Sequence, residues 1–394
     1  MKTVWMTFAV IALFAVLPAP GAKVTHGAQV IRTPAELDHY IKTTPPDASP
    51  LSLLPVGARK RFLGTLVWGE HGLGGFDTSD LSTYLTDAQI ALVLTLFDAQ
   101  GYASMMHGRV TPLSETERRA PETPLGRKFD QWFFMREDTL HGAHPSDSVT
   151  GLYDRLLAPY QQPAALAKLD DNDAVLLFRA ASSVSFASHD THHLVDLRLD
   201  LAELHRRGLA TSARVSQVHD LLVAARHFDE ANALARQYPT ADIAPLPPLR
   251  LAANVHDGNP TVLTVNPDGK SILRRAIDMH VPLRIVVIAG CHFSEDAARG
   301  IRANPVLDKL FHEHAIWLAP GNESLPDVLQ WNREFPNQTM NVAWSNREWQ
   351  MLDSWLIPTF YVFRDGQQVD RWNGWGTDGM ERLREHLHKN GLPN

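Results

Sequence analysis

Apolar residues fall into two different rhythms along this chain. As far as Tyr238 they recur mainly at helical spacing, and from Thr261 they form short alternating or continuous runs separated by helices. The clearest early helix spans Leu85 to Ala99: Thr86 or Asp87 can cap it, Ile90, Val93, Leu94 and Phe97 form its apolar side, and Gly101 can end it. A shorter helix is expected from Pro34 to Ile41, and helical signals take over from Leu51. His71-Gly72-Leu73-Gly74-Gly75 reads as a glycine turn, and residues 107–128 as an irregular loop. From Asp173 to Tyr238 the pattern predicts consecutive helices over Asp173–Ala187, His189–Arg207, Ser212–Ala225 and Phe228–Tyr238.

Ala244-Pro245-Leu246-Pro247-Pro248 breaks that series, because proline removes a backbone donor and stiffens the chain. Beyond it Thr261–Val265 alternates as a strand and Ser271–Met279 reads as a helix. Leu283–Ala289 is a continuous apolar strand, Glu295–His314 a helix interrupted at Pro305, and Ala315–Ala319 a second buried strand. Leu325–Glu334 is helical again. Thr359–Phe363 and Gln368–Trp372 flank Arg364-Asp365-Gly366-Gln367, a hairpin turn in which Asp-Gly tolerates positive φ. Asp378–Lys389 closes the chain as a helix. The expected fold class is α+β with two domains, an N-terminal all-α domain over residues 23–245 and an α/β domain over 260–394, joined by a linker at 246–259.

Composition narrows the function classes. The 394 residues are 44% hydrophobic and 21% charged with a net charge of −7, so neither a basic nucleic-acid surface nor an acidic tail is indicated. Lys2, the apolar run Val4 to Leu17 and the small residues Ala19-Pro20-Gly21-Ala22 read as an export signal over residues 1–22, with a retained anchor as the alternative. No later stretch is apolar enough for a membrane helix, so no integral membrane segment is expected in the mature chain. Cys291 is the only cysteine, which rules out an internal disulfide and leaves one thiol that is either reactive or a small buried hydrophobe. The triplets Asn322-Glu323-Ser324 and Asn337-Gln338-Thr339 have meaning as glycosylation acceptors only in a eukaryotic secretory pathway.

Two local features carry most of the chemistry. Ile285-Val286-Val287-Ile288-Ala289-Gly290-Cys291-His292-Phe293-Ser294 is a buried strand running into Cys-x-x-Ser at a helix start. A cysteine there lies near the positive end of the backbone dipole, which favours the thiolate. The second feature is Trp355-Leu356-Ile357-Pro358-Thr359-Phe360-Tyr361-Val362-Phe363, with Asp365-Gly366 just beyond. With the order of elements, these motifs give residues 260–394 a resemblance to the thioredoxin-like superfamily. The resemblance implies a thioredoxin fold, a cis bond before Pro358, and a groove holding substrate backbone beside Cys291. It also favours a periplasmic or secreted location and client proteins bearing thiols or disulfides as partners.

The departures bear on activity. Ser294 stands where the family has its second, resolving cysteine, and Gly290 where a tryptophan is usual. A thiolate at Cys291 can form a mixed disulfide, but release needs a thiol of the substrate or from outside. The candidate site is Cys291, Ser294, His292 and Pro358. His292 either polarises the thiolate or is an exposed polar residue, and Ser294 reads as a helix cap. The competing reading is a non-catalytic binding or scaffold protein with a degenerate domain of this kind.

Other motifs carry less. His189, His193 and Asp196 would share a helix face with zinc-type donors, but no fourth ligand is evident, and neither metal nor cofactor is expected. The glycines after His71 have no Gly-x-Ser-x-Gly partner for a hydrolase. The turn Ala225-Arg226-His227-Phe228-Asp229-Glu230-Ala231 resembles one tetratricopeptide-type hairpin, without copies at the expected period. Trp344, Trp349, Trp355, Trp372 and Trp375 either line a groove near Pro358 or pack the core.

Overall fold

The computed structural model describes residues 30–140, 146–188, 191–253, 255, 259–266 and 268–394. The expected export signal at residues 1–22 and His189 lie outside them. Thr33 accepts from Glu36 N at the start of α1 (Pro34–Thr43), and α2 (Val56–Gly64) follows two short 3-10 turns. Strands β1 (Val67–Gly69) and β2 (Gly72–Gly75) pair antiparallel. Next come α3 (Ser79–Tyr84) and α4 (Asp87–Thr95), where Thr86 and Gln89 satisfy each other's backbone N–H groups. Helices α5 (Glu115–Arg119), α6 (Pro124–Leu140), α7 (Ser146–Leu156), α8 (Pro163–Leu166), α9 (Asp171–Ser188) and α10 (Thr191–Arg206) continue the series. The glycine turn is therefore part of a β-hairpin, so this half is not all-α, and the supposed loop at 107–128 contains α5 and the start of α6.

Two compact units divide the described residues. One runs to Ser188 and resumes over Val195–Leu209; the other holds Ala210–Asn394 and the first residues of α10. Phe62, Tyr84, Ile90, Val93, Leu94 and Phe97 belong to the core of the first unit. Arg61 ties that unit together: its guanidinium donates twice to Asp80 at 2.9 Å and once to Asp130 at 2.6 Å. Arg179 adds a third bond to Asp80 at 2.7 Å. Burial alone would push the Asp80 carboxyl up, but Arg179 and Arg61 outweigh it and hold the group below the usual carboxylate range.

The second unit opens with α11 (Ser212–Ala224) and α12 (Phe228–Gln237), followed by β3 (Leu249–Leu251), β4 (Thr261–Val265), β5 (Ile272–Ala276) and β6 (Arg284–Ile288). Then come α13 (His292–Arg302), α14 (Pro305–His314), β7 (Ala315–Ala319), α15 (Leu325–Glu334) and β8 (Met340–Ala343). Strands β9 (Thr359–Arg364) and β10 (Gln367–Asn373) form the expected hairpin before α16 (Gly379–Lys389). The eight strands make one mixed sheet in the order β10-β9-β6-β7-β8-β4-β5-β3, which gives the chain an α+β class. On one face Val262, Val286, Ile288, Leu318, Tyr361 and Phe363 pack with Trp349 and Leu352 from the segment before β9. The opposite face meets helices: the Trp317 ring lies 6.2 Å from Phe311 of α14 and 5.3 Å from Trp331 of α15.

Three expectations change here. Ser271–Met279 contains strand β5 rather than a helix, paired antiparallel with β4 from Val265↔Ile272 to Thr261↔Ala276. Its buried residues Ile272 and Ala276 are four apart, a spacing that suits a helix face and a strand face alike. The linker at 246–259 supplies β3, which pairs parallel with β5. Helices α11 and α12, assigned by pattern to the helical domain, belong with the sheet. Arg226 in their turn has φ of 67° and donates to Trp344 O at 2.9 Å, Gly321 O at 2.8 Å and Ala343 O. Burial, with Arg274 nearby, pushes this guanidinium down to about 10. Among the described residues no helix is long and apolar enough to cross a membrane.

Residues 210–394 expressed alone should therefore unfold cooperatively in a thermal melt. A fragment starting at residue 251 lacks Arg226 and most of β3, and each charged hydrogen bond it forfeits is worth about 1.5–3 kcal/mol. It should melt at a clearly lower temperature; equal stability of the two fragments would show that α11 and α12 are accessory to the sheet.

Candidate active site

Strand β6 delivers Cys291 to its position. Ile285 to Ile288 are fully buried, each side chain contributing about 1.5–3 kcal/mol. β7 pairs parallel along one edge and β9 antiparallel along the other. The chain leaves the strand at Ala289, turns through Gly290 at φ 153°, and enters α13 with Cys291 as its N-cap. Ser294 N and Glu295 N donate to Cys291 O at 2.9 and 3.1 Å, so the thiol sits beside the first turn of a helix and its positive dipole end. Ends of central strands are where open sheets place their sites.

The register of β6 with β9 sets Ile288 opposite Thr359, which brings Pro358 alongside Cys291. The Ile357–Pro358 peptide bond is cis, as expected. The half-buried Cys291 Sγ lies 3.8 Å from Ile357 O and 3.6 Å from Ser294 Oγ. Three of the four candidate residues thus come together: Cys291, Ser294 and Pro358. Ser294 is not the cap; it is fully buried inside the first turn, where Oγ accepts from Gly290 N at 3.4 Å. His292 is exposed, and its ring lies 3.9 Å from that of Phe293. Leu356, 61% exposed, presents an apolar side chain next to Ile357. Trp349 and Trp372 are buried core, whereas Trp344, Trp355 and Trp375 are partly exposed.

Glu323 is the residue the sequence did not single out. After β7 a turn closes with Glu323 N donating to Pro320 O at 3.0 Å, and Ser324 then caps α15. Ser324 N donates to Glu323 Oε1 at 3.2 Å. The other oxygen, Oε2, lies over Gly290: a Cβ there would stand 2.5 Å from it. The Ile357 side chain borders the same spot at 3.7 Å. Burial raises the Glu323 carboxyl to about 7, and the Asp327 charge adds to this against the Ser324 N–H. Asp327 is itself raised by burial and by Asp220 on α11. Only strand order could have located Glu323, since β7 neighbours β6 and their carboxyl ends meet.

Of the supposed metal ligands, His193 and Asp196 are buried on α10, and Asp196 Oδ2 accepts from Tyr153 OH at 2.9 Å. No family model matches the chain, and neither a curated protein nor a solved structure matches it.

Gly290→Ala should destabilise the protein by about 1–3 kcal/mol in denaturant melts, through positive φ and the clash with Glu323. Adding Glu323→Ala should recover at least about 0.5 kcal/mol of that loss; strict additivity would mean that the two residues do not press on each other. The folded chain keeps the Glu323 proton to about pH 7, whereas an unfolded chain loses it near about 4.3. Its contribution to stability therefore falls as pH rises across that window. Glu323→Gln should flatten that decline in melts taken between pH 4 and pH 8, and an unchanged slope would contradict the assignment.

Proposed function

We propose that the second unit is a thioredoxin-like domain of an exported protein, and that Cys291 engages client proteins through thiol–disulfide exchange. The observation that carries this reading is the Cys291 Sγ at the start of α13, 3.8 Å from Ile357 O and beside Pro358. Strand order adds support, because β6 and β7 run parallel, β9 and β10 follow as a hairpin, and the four lie in the order β10-β9-β6-β7. A thioredoxin-like core has its strands in the same order, and here β8 comes between β7 and β9 in the chain and joins the sheet beyond β7. Lys2 and the apolar run Val4 to Leu17 support export to a periplasm or out of the cell.

The chemistry is a one-thiol cycle. The Cys291 thiolate attacks a client disulfide, a new S–S bond forms to Cys291, and the second client sulfur leaves as a thiolate that takes a proton from water. Ser294 carries no sulfur, so the mixed disulfide is opened by a client thiol, which regenerates Cys291 and leaves the client with a rearranged disulfide. No electrons are gained or lost overall, which is isomerase-like turnover. The competing reading, a binding module without chemistry, draws on the missing second thiol and on the exposed Leu356.

The two readings separate experimentally. Exchange requires a Cys291 thiol that reacts with alkylating reagents in the folded protein, and disulfide-linked complexes that are trapped by acid and lost in Cys291→Ser. Ser294→Cys should convert those complexes into turnover, because the new thiol can close on Cys291. A thiol inert to alkylation, together with full biological activity of Cys291→Ser, would replace exchange by binding.

A further inference from the structure

We propose that Glu323 is a positioning residue for Cys291: its carboxyl group, seated against Gly290, sets by its own charge how readily Cys291 gives up its proton. The inference rests on the exchange reading above and deepens it.

The geometry leaves the carboxyl group few alternatives. One oxygen is fixed by Ser324 N–H at 3.2 Å, and the other is pressed towards the Cα of the residue before the cysteine, where a Cβ would come within 2.5 Å. Among the described residues no Lys, Arg or His forms an ion pair with it; the Arg226 guanidinium donates instead to Gly321 O, two residues before it, at 2.8 Å. Two opposing fields then act on Cys291. The start of α13 favours the thiolate, and an ionised Glu323 opposes it as a like charge. Protonated Glu323 removes the opposition and leaves the helix field alone.

The groups facing this pair from each surrounding element are few. At the start of α13 they are the Cys291 thiol and the His292 imidazole. In α15 there is Asp327, whose charge acts on Glu323; from α11 Asp220 acts on Asp327 in turn, and from the α11–α12 turn the Arg226 guanidinium donates to Gly321 O in the turn that carries Glu323. On the side of Pro358 the neighbour is Ile357, which carries no charge. The carboxyl group titrates around pH 7, raised chiefly by burial, so both of its charge states are populated near neutrality. On this inference the charge of one group opposes ionisation of the other. Thiol reactivity should rise less steeply with pH than that of an isolated thiol, because ionisation of Glu323 partly offsets the gain in thiolate.

The test is the rate of Cys291 alkylation by iodoacetamide between pH 5 and pH 10 in the full chain and in Glu323→Gln and Glu323→Asp. Glu323→Gln should lower the apparent thiol pKa by at least about 0.5 unit, a rate gain of about threefold at pH 7, and restore a single-step profile. Glu323→Asp keeps the charge and should retain a broadened profile, which a merely structural role for the side chain would not require. A Glu323→Gln profile that superimposes on the parent, or one shifted by the same factor at every pH, would overturn the inference while leaving exchange intact. A thiol inert to the reagent in all three proteins would overturn the exchange reading itself.

Discussion

Ile285, Val286, Val287 and Ile288 have no exposed surface, and each is paired across both edges of its strand, to β7 on one side and to β9 on the other. The position of Cys291 is a consequence of that double pairing. A one-residue slip of β6 would exchange the side chains of its two faces, and the close packing on each face together with the two ladders resists it. The strand therefore ends at a fixed height, and Pro358 and Glu323, each following a neighbouring strand or preceding one, arrive at the same height. Three segments distant in sequence converge on one thiol because one strand cannot move.

The exit from that strand is equally constrained. Gly290 must carry no side chain, since the space over its Cα belongs to Glu323, and this gives a physical reason for its presence beside the cysteine. On the inference drawn above, the same close approach would couple that carboxyl group to the thiol. Farther along the sheet Arg226 performs a different task, filling three carbonyl acceptors from two segments and so holding the α11–α12 turn to the end of β8. The half-buried Arg226 is thus one tie that holds two helices with a purely helical pattern to the mixed unit.

Much of the second unit was legible in the sequence, because its signals were local and strong. The run Leu283–Ala289 and the Asp365-Gly366 turn indicated β6 and the β9–β10 hairpin, and Leu325–Glu334 has the bounds expected of α15. Cys291 and Pro358 stood out through their motifs. The failures share a cause, which is that sequence spacing is blind to pairing partners. Ile272 and Ala276 have an ambiguous interval, Leu249–Leu251 is too short to signal a strand, and Met340–Ala343 is recognisable only beside β7 and β4. Glu323 escaped notice because its triplet suggests a surface acceptor, whereas its contact with Gly290 arises only once β7 lies beside β6. Ser294 has a good capping residue type, yet the helix begins two residues earlier.

A site with one sulfur distributes its chemistry differently from a site with two. In a two-thiol site the second thiol limits how long any mixed disulfide survives, whatever the client. Here Ser294 occupies that place fully buried, with Oγ 3.6 Å from Cys291 Sγ and accepting from Gly290 N, so it stabilises the turn without offering a leaving group or a nucleophilic sulfur. The lifetime of a complex at Cys291 would then be set by whether a client thiol can reach the same sulfur, past the exposed Leu356 and the Ile357 carbonyl. If an ionised Glu323 opposes the thiolate, Cys291 would be a better attacking sulfur once it is itself ionised, and a poorer leaving group. On the exchange reading the balance between capture and release would therefore lie in the charge of Glu323 and the geometry of the client, and not in a second residue of the motif.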